Sequence, residues 1–143
     1  MKRKTGKPAS SHLTPEERVV LAAAKRALRQ AHAPYSRFRV GAALRTEDGR
    51  VFTGCNVENA SYGLTICAER VAIFTAIAAG ARRFQVLAVV ADGAKPPYPC
   101  GGCRQVLAEF IQPSGLVLVA PAGRLSAAKR FTLQDLLPHR FER

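Results

Sequence analysis

Residues 84–103, FQVLAVVADGAKPPYPCGGC, combine a strand, a proline-rich loop and the start of a helix. Phe84 to Ala91 is rich in valine and lacks regular polar alternation, which is typical of a strand buried on both faces of a sheet. Pro96 to Pro99 interrupts the chain, and a helix is predicted from Gly101 to Phe110. A buried strand followed by a helix predicts an α/β fold.

The segments before this stretch predict a helix and a hairpin. Thr14-Pro15-Glu16-Glu17 is a helix start, with a capping threonine, a proline in the first turn and a glutamate that completes a capping box. Pro34 limits the Ala-rich helix that follows. Two strands, Arg39 to Thr46 and Val51 to Gly54, flank the turn-forming pair Asp48-Gly49.

Three further elements complete the predicted order. A helix from Cys67 to Ala79 ends at Gly80, Leu116 to Ala120 is another buried strand, and a short last helix begins near Thr132. A hairpin followed by strands that alternate with helices predicts a mixed sheet with helices on both faces.

The length of 143 residues fits one compact domain, and a hydrophobic content of 48% supplies a core for it. We expect a flexible basic tail at residues 1–12 and one folded domain at residues 13–143. No apolar run approaches the roughly 20 residues of a membrane span, so we expect a cytoplasmic protein.

The formal net charge of +12 raises the possibility of nucleic-acid binding, because clustered Lys and Arg gain from counterion release. The one dense basic cluster is Lys2, Arg3, Lys4 and Lys7, and it lies in the predicted tail. Aromatic residues make up only 7% of the chain and there is no Trp, so base-stacking motifs are not evident. The composition disfavours nucleic-acid binding as the main role.

Cysteine spacing provides the clearest chemical signal. Cys100 and Cys103 form a CxxC pair, which structural zinc sites, catalytic zinc sites and redox motifs share. Cys67 stands at the predicted start of another helix, where the helix dipole favours thiolate. Three such ligands leave one tetrahedral position for water, and Glu69 is placed to act on that water as general base and acid.

Two questions about this site stay open at the level of spacing. Cys55 can complete a closed four-cysteine site, although it ends a predicted strand rather than forming a second CxxC pair. Arg70 directly follows Glu69, and Arg104 directly follows Cys103. We expect both arginines to donate hydrogen bonds to the cysteine thiolates without binding the metal themselves. For either arginine, a solvent-facing helix position is the alternative.

Several motifs together resemble the small, homotetrameric type of cytidine deaminase, within the cytidine and deoxycytidylate deaminase superfamily. They run from Tyr35 to Phe141 and comprise YSxFxVGAAL from Tyr35, GCNVENASY from Gly54, CAER from Cys67, PCGGCRQV from Pro99 and LLPHRF from Leu136. The resemblance implies a three-layer α/β/α sandwich with a five-stranded mixed sheet. It also implies one zinc ion per subunit, bound by Cys67, Cys100 and Cys103.

The resemblance further implies hydrolytic deamination of cytidine and 2′-deoxycytidine, a step of pyrimidine salvage, in a homotetramer with shared active sites. By position it assigns substrate contacts to these residues: Phe38, Val40, Asn56, Glu58, Ala68, Tyr62 and Phe141. Tyr62 and Phe141 would reach the sites of neighbouring subunits. Tyr98 departs from the family, which usually has a small residue there, and its side chain is expected to narrow the pocket.

Simpler roles exist for most of these residues. Phe38 and Val40 alternate on a predicted strand and can be core residues, Asn56 and Glu58 can be turn residues, and Phe141 can anchor the C-terminus. Alternative functions are deamination of a related substrate such as blasticidin S, or a basic zinc- or nucleic-acid-binding module without catalysis.

Overall fold

The computed structural model describes the backbone of Lys7–Pro8 and residues 12–143. The flexible tail predicted for residues 1–12 therefore lies almost entirely outside the described residues. Within the described part of the chain, no helix combines the length and the apolar composition needed to cross a membrane.

The elements follow the predicted order, with two strands added. In chain order they are β1 (Lys7–Pro8), α1 (Pro15–Leu28), β2 (Val40–Thr46), β3 (Val51–Cys55), α2 (Ala68–Ala78), β4 (Phe84–Ala91), α3 (Gly101–Ala108), β5 (Ile111–Pro121), β6 (Lys129–Thr132) and α4 (Leu133–Leu136), with 3-10 turns at Tyr62–Leu64 and Leu125–Ala127.

The sheet has the order β1-β6-β5-β4-β2-β3. Strands β4 and β5 are parallel, and the other neighbours are antiparallel, which confirms the mixed sheet. Five strands form its body, and the two-residue β1 extends it beyond β6. The four-residue β6 was not located from its sequence, because Lys129 and Arg130 leave it without a recognisable apolar pattern.

Two apolar cores confirm the three-layer arrangement. On one face of the sheet, Val20, Leu21 and Ala24 of α1 pack against side chains of β2, β4 and β5. On the other face, Ile73 of α2, Leu107 of α3 and Leu133 of α4 share a core with the opposite side chains of the same strands. Helices α2 and α3, whose first residues carry the cysteines, therefore lie on the same face.

An ion pair joins helix α1 to strand β6. The predicted capping box is present, with Thr14 accepting from the Glu17 amide. Glu17 is buried and binds Arg130 of β6 through two bonds of 2.7 and 2.9 Å. Burial raises the pKa of Glu17, but the bonds from Arg130 and Thr14 outweigh it and hold that pKa below its usual value.

Two glycines allow helices to lie directly on strand backbones. A Cβ on Gly41 of β2 would lie 2.0 Å from the Ala24 carbonyl oxygen of α1. A Cβ on Gly54 of β3 would lie 2.4 Å from the Ala72 nitrogen and 2.7 Å from the Ala68 oxygen, both in α2. The position of α2, and hence of the residues at its start, depends on this close approach at Gly54.

Candidate metal and catalytic site

The ends of two helices carry the three predicted thiol ligands. Cys67 is the N-cap residue of α2 and Cys100 is the N-cap residue of α3, both with extended backbone angles. Neither side chain caps its own helix, so both sulfurs are free to face another partner. Cys103 lies in the first turn of α3 and is buried. The structure thus brings together residues that are 36 positions apart along the chain.

The geometry of the thiols fits a tetrahedral zinc ion. Cys67 Sγ lies 3.9 Å from Cys100 Sγ, which lies 3.6 Å from Cys103 Sγ. All three sulfurs are within 4.8 Å of one another. Zinc–sulfur bonds of about 2.3 Å at tetrahedral angles require sulfur–sulfur distances of about 3.8 Å. Soft thiolates in this arrangement are a donor set suited to zinc.

Hydrogen bonds at this cluster favour one ionised sulfur, that of Cys67, whereas the bond to Cys67 and burial both raise the pKa of Cys103. The pKa of Cys67 lies below its usual value, because the Cys103 thiol and the Arg70 guanidinium donate hydrogen bonds to it. Arg70 Nη2 is 3.5 Å from Cys67 Sγ, and this contact raises the pKa of the arginine. The buried Nε of Arg70 has no hydrogen-bond partner within the described residues. One charged side chain, that of Arg70, therefore lies against a thiol of the cluster.

Glu69 follows Cys67 by two residues and is buried in the first turn of α2. Burial raises the pKa of its carboxyl, and the charge of Cys67 acts in the same direction. Its carboxyl also contacts the Cys103 side chain, which places it beside the thiol cluster. A buried carboxyl with a raised pKa can both accept and return a proton near neutral pH.

Cys55 lies outside the thiol cluster. It ends β3 and is a free, half-buried thiol, and burial raises its pKa. The group of described side chains able to hold a metal contains Cys67, Cys100 and Cys103 without it. The cluster is therefore an open three-thiol site rather than a closed site with four cysteines.

Arg104 has different partners from those expected. Its Nε donates to the Pro99 carbonyl at 2.7 Å, and its Nη1 donates to the Leu136 carbonyl at 2.8 Å. The guanidinium thus joins the residue before Cys100 to the end of α4 instead of donating to a thiol. Its bonds span 5 and 32 positions of the chain, so spacing next to Cys103 did not reveal them.

The residues expected at the sugar and base form a connected group at the start of β2. Asn56 is buried, accepts from the Val40 amide at 2.9 Å and donates to the Phe38 carbonyl at 2.8 Å. Glu58 accepts from the amides of Tyr35 and Ser36. Val40 belongs to the core, whereas Phe38 is 45% exposed and precedes the strand. Core packing therefore explains Val40 but not Phe38.

The other expected contacts lie at separate places. Ala68 is buried at the first position of α2, directly after Cys67. Tyr62 is 77% exposed in a 3-10 turn, with its ring 6.1 Å from that of Tyr35. Phe141 is 71% exposed, and its carbonyl accepts from Gln105 of α3 at 3.2 Å. In a single chain these two aromatic rings face solvent.

Tyr98 and Ser36 have contacts that the sequence did not reveal. The Tyr98 ring packs edge-on against Phe131 of β6 at 5.6 Å, and its hydroxyl lies 3.5 Å from Lys129 Nζ. The Tyr98 side chain therefore contacts strand β6 at two residues. Ser36 forms hydrogen bonds with Glu58 and with the Phe38 amide. Ser36 lies within the YSxFxV motif, but a short polar residue in a loop gave no signal of these partners.

Known proteins are similar to this chain in sequence and in fold. The family model for the cytidine and deoxycytidylate deaminase zinc-binding region matches residues 14–119. A cytidine deaminase of Sporosarcina psychrophila is 47% identical over 124 residues, which are 87% of this chain and 90% of that protein. A cytidine deaminase of Halalkalibacterium halodurans is 50% identical over 112 residues, which are 78% of this chain and 83% of that protein.

A solved structure agrees with these sequence matches. The crystal structure of cytidine deaminase from Burkholderia pseudomallei superposes with a TM-score of 0.82 at 48% identity, and covers 90% of this chain and 100% of that one. The family match spans most of the chain and includes the three clustered thiols. The chain belongs to the cytidine and deoxycytidylate deaminase family of zinc-binding proteins.

Proposed function

We propose that this protein catalyses the zinc-dependent hydrolytic deamination of cytidine and 2′-deoxycytidine, giving uridine and 2′-deoxyuridine with release of ammonia. The observation that carries this proposal is the buried Glu69 carboxyl beside three thiols spaced for zinc. Relatives that bear the name cytidine deaminase, at 47% and 50% identity, support the choice of substrate.

The chain's own groups supply the proton transfers. Cys67, Cys100 and Cys103 would hold one zinc ion, which as a Lewis acid makes water a better nucleophile at neutral pH. Glu69 accepts a proton from the attacking water and delivers it to N3 of the pyrimidine, which makes C4 more electrophilic. The water oxygen bonds to C4, and Glu69 then moves the remaining proton of this new hydroxyl to the 4-amino group. The C4–N bond breaks with release of ammonia, and C4 becomes a carbonyl carbon.

Substrate binding is proposed for residues around this centre. The free amide of Ala68, at the first position of a helix, is available to donate to the base carbonyl. Phe38 is exposed and supplies an aromatic surface for the base, and Val40 is assigned to the same pocket. Asn56 and Glu58 bind sugar hydroxyls. A polynucleotide has no free 3′-hydroxyl along its chain, so this arrangement favours a free nucleoside.

We also propose a homotetramer in which neighbours complete each site. Tyr62, Leu64 and Phe141 are 77%, 65% and 71% exposed, and burying such apolar surface against another copy is favourable. Tyr62 and Phe141 would then line sites of adjacent subunits. A cytoplasmic location is proposed as well, because all four cysteines are free thiols and a thiol-ligated metal site suits a reducing compartment.

A substrate panel tests the proposed function. Purified protein with measured zinc content is incubated with cytidine, 2′-deoxycytidine, blasticidin S or a single-stranded RNA, and ammonia release is followed. We expect about one zinc per subunit, turnover of both nucleosides and no ammonia from RNA. Turnover of blasticidin S alone would contradict the substrate assignment. Tight, salt-dependent RNA binding without nucleoside turnover would contradict the enzymatic function.

Two cysteine variants serve as matched controls for the metal. Cys103→Ser removes a clustered thiol and should abolish retention of zinc, because two thiolates and a hydroxyl bind it poorly. Cys55→Ser changes a thiol outside the cluster and should leave the zinc content unchanged. Equal zinc content in the two variants would show that the metal is bound elsewhere.

A further inference from the structure

The segment before β2 turns sharply although it contains no glycine. Arg37 has a φ of 57°, a left-handed conformation that is unfavourable for a residue with a side chain. The neighbouring Tyr35, Ser36 and Phe38 are all exposed, so apolar packing does not hold this turn. Hydrogen bonds must therefore maintain it.

Glu58 accepts three of these bonds through one carboxylate, and the Arg37 amide donates to the Ala33 carbonyl at 2.9 Å. Its Oε1 accepts from the amides of Tyr35 at 3.0 Å and Ser36 at 3.1 Å. Its Oε2 accepts from the Ser36 hydroxyl at 2.5 Å. A carboxylate has about four acceptor positions, so one position, on Oε2, is left for a ligand. The orientation of that position is set by the Ser36 hydroxyl on the same oxygen.

The Ser36 hydroxyl is engaged on both sides. It donates to Glu58 Oε2 and accepts from the Phe38 amide at 3.0 Å. The hydroxyl therefore links the carboxylate to the backbone of the residue whose ring is exposed at the start of β2. The Asn56 side chain donates a hydrogen bond to the Phe38 carbonyl, so both backbone polar groups of Phe38 have partners.

We propose that Ser36 is a positioning residue for sugar recognition, which holds the Glu58 carboxylate so that its one remaining acceptor faces a nucleoside hydroxyl. This inference rests on the proposed function, in which Glu58 binds the sugar. Ser36 itself does not touch the substrate. The fixed carboxylate loses little freedom on binding, and such preorganisation increases affinity.

The charge state of Glu58 agrees with this role. The side-chain hydrogen bond from Ser36, together with the Ser36 amide, holds the pKa of Glu58 below its usual value. The carboxyl therefore stays ionised and remains an acceptor for a hydroxyl donor at neutral pH. Without the serine hydroxyl, the Glu58 carboxylate would still be ionised at neutral pH, but its Oε2 would no longer be held in one orientation.

The test compares two substrates that differ in one hydroxyl. Ser36→Ala is assayed on cytidine and on 3′-deoxycytidine, beside wild type, Ser36→Thr and the control Ser114→Ala, whose hydroxyl has no hydrogen bond among the described residues. We expect Ser36→Ala to raise KM for cytidine roughly tenfold to a hundredfold with little change in kcat, as for loss of a bond to a charged group. On 3′-deoxycytidine the change should be at least about fivefold smaller.

The conservative variant separates positioning from a general effect of the substitution. Ser36→Thr retains the hydroxyl and should restore KM for cytidine, and Ser114→Ala should leave KM unchanged. Equal losses on the two substrates, or a raised KM that Ser36→Thr shares, would overturn the proposal. Failure of the wild type to deaminate cytidine would instead overturn the proposed function, so the two failures are distinguishable.

Discussion

The Arg70 side chain lies against the Cys67 thiol, and its buried Nε has no hydrogen-bond partner among the described residues. Three thiolates around a divalent zinc ion carry a net negative charge, and Arg70 Nη2 lies 3.5 Å from one of those sulfurs. We expect Arg70→Gln to weaken zinc binding by about tenfold to a hundredfold, as removal of metal-supporting partners typically does. Competition with a chelator, followed by zinc quantitation, measures this. Arg83→Gln, an exposed position, is the control, and equal zinc retention in the two variants would contradict the role.

Spacing in the sequence predicted which side chains lie together better than it predicted their hydrogen-bond partners. Cys67, Cys100, Cys103 and Glu69 could be grouped from sequence, because a catalytic zinc site requires fixed residue types at short spacing, and the structure places them side by side. The partners of Arg104 and Glu58 could not, because those bonds join positions 32 and 22 residues apart. Such contacts depend on how the layers pack, which local spacing does not encode.

Gly54 of β3 lies against α2, the helix at whose start Cys67 and Glu69 are located. Because a Cβ there would lie 2.4 Å from the Ala72 nitrogen, Gly54→Ala must push α2 away from β3. We expect a loss of about 1–3 kcal/mol or more in the free energy of unfolding, as for other overpacked positions. Lower zinc affinity should accompany it, since Cys67 and Glu69 move with α2. Urea unfolding and zinc titration measure the two effects.

Gly123 provides the matched control for this prediction. A Cβ at Gly123 would meet no atom within 4 Å, so Gly123→Ala should keep both the stability and the zinc affinity. If Gly54→Ala were as stable as Gly123→Ala, the close packing of α2 on β3 would be contradicted.

Elements with strong local signals were located accurately from sequence. The strand Phe84–Ala91 has the predicted bounds, and the capping box at Thr14 marks the start of α1. Strand β5 begins at Ile111, five residues before the predicted start at Leu116. Pro113 and Gly115 are unfavourable in strand interiors, so the first part of β5 has no strand signal in the sequence. Strand β6 has only four residues, two of them basic, and forms because β5 offers it an edge.

Tyr62 and Phe141 are exposed in a single chain, and in the proposed tetramer they would line the sites of neighbouring subunits. We expect Glu69→Gln and Phe141→Ala each to lose activity alone, because one lacks the proton carrier and the other lacks a ring donated to a neighbour. Mixed tetramers would contain sites with both intact, so activity should rise to roughly a quarter of wild type for random assembly. Co-expression with two different affinity tags isolates the mixed species for assay.

Two results would contradict the shared sites. The activity of the mixed species could equal the average of the separate variants, or the wild-type protein could sediment as a monomer.

At the same scale the family resemblance was confirmed, and with it the three-layer fold and the zinc-binding class. The high net charge was a weaker guide. Four of the 22 basic residues lie in the first 11 positions, and the others are distributed along the folded part. The net charge therefore indicated little about the site, whereas the spacing of Cys67, Cys100 and Cys103 indicated its chemistry.

The most direct test of a zinc deaminase with Glu69 as its proton carrier is ammonia release from cytidine at matched zinc content. Wild type, Glu69→Gln and the exposed control Glu16→Gln are loaded to the same zinc stoichiometry and assayed together. We expect one ammonia per uridine formed for wild type and Glu16→Gln, and a loss of at least about 100-fold for Glu69→Gln with zinc retained. Substantial turnover by zinc-loaded Glu69→Gln, or no ammonia from the wild type, would contradict this role of Glu69 or the deaminase activity itself.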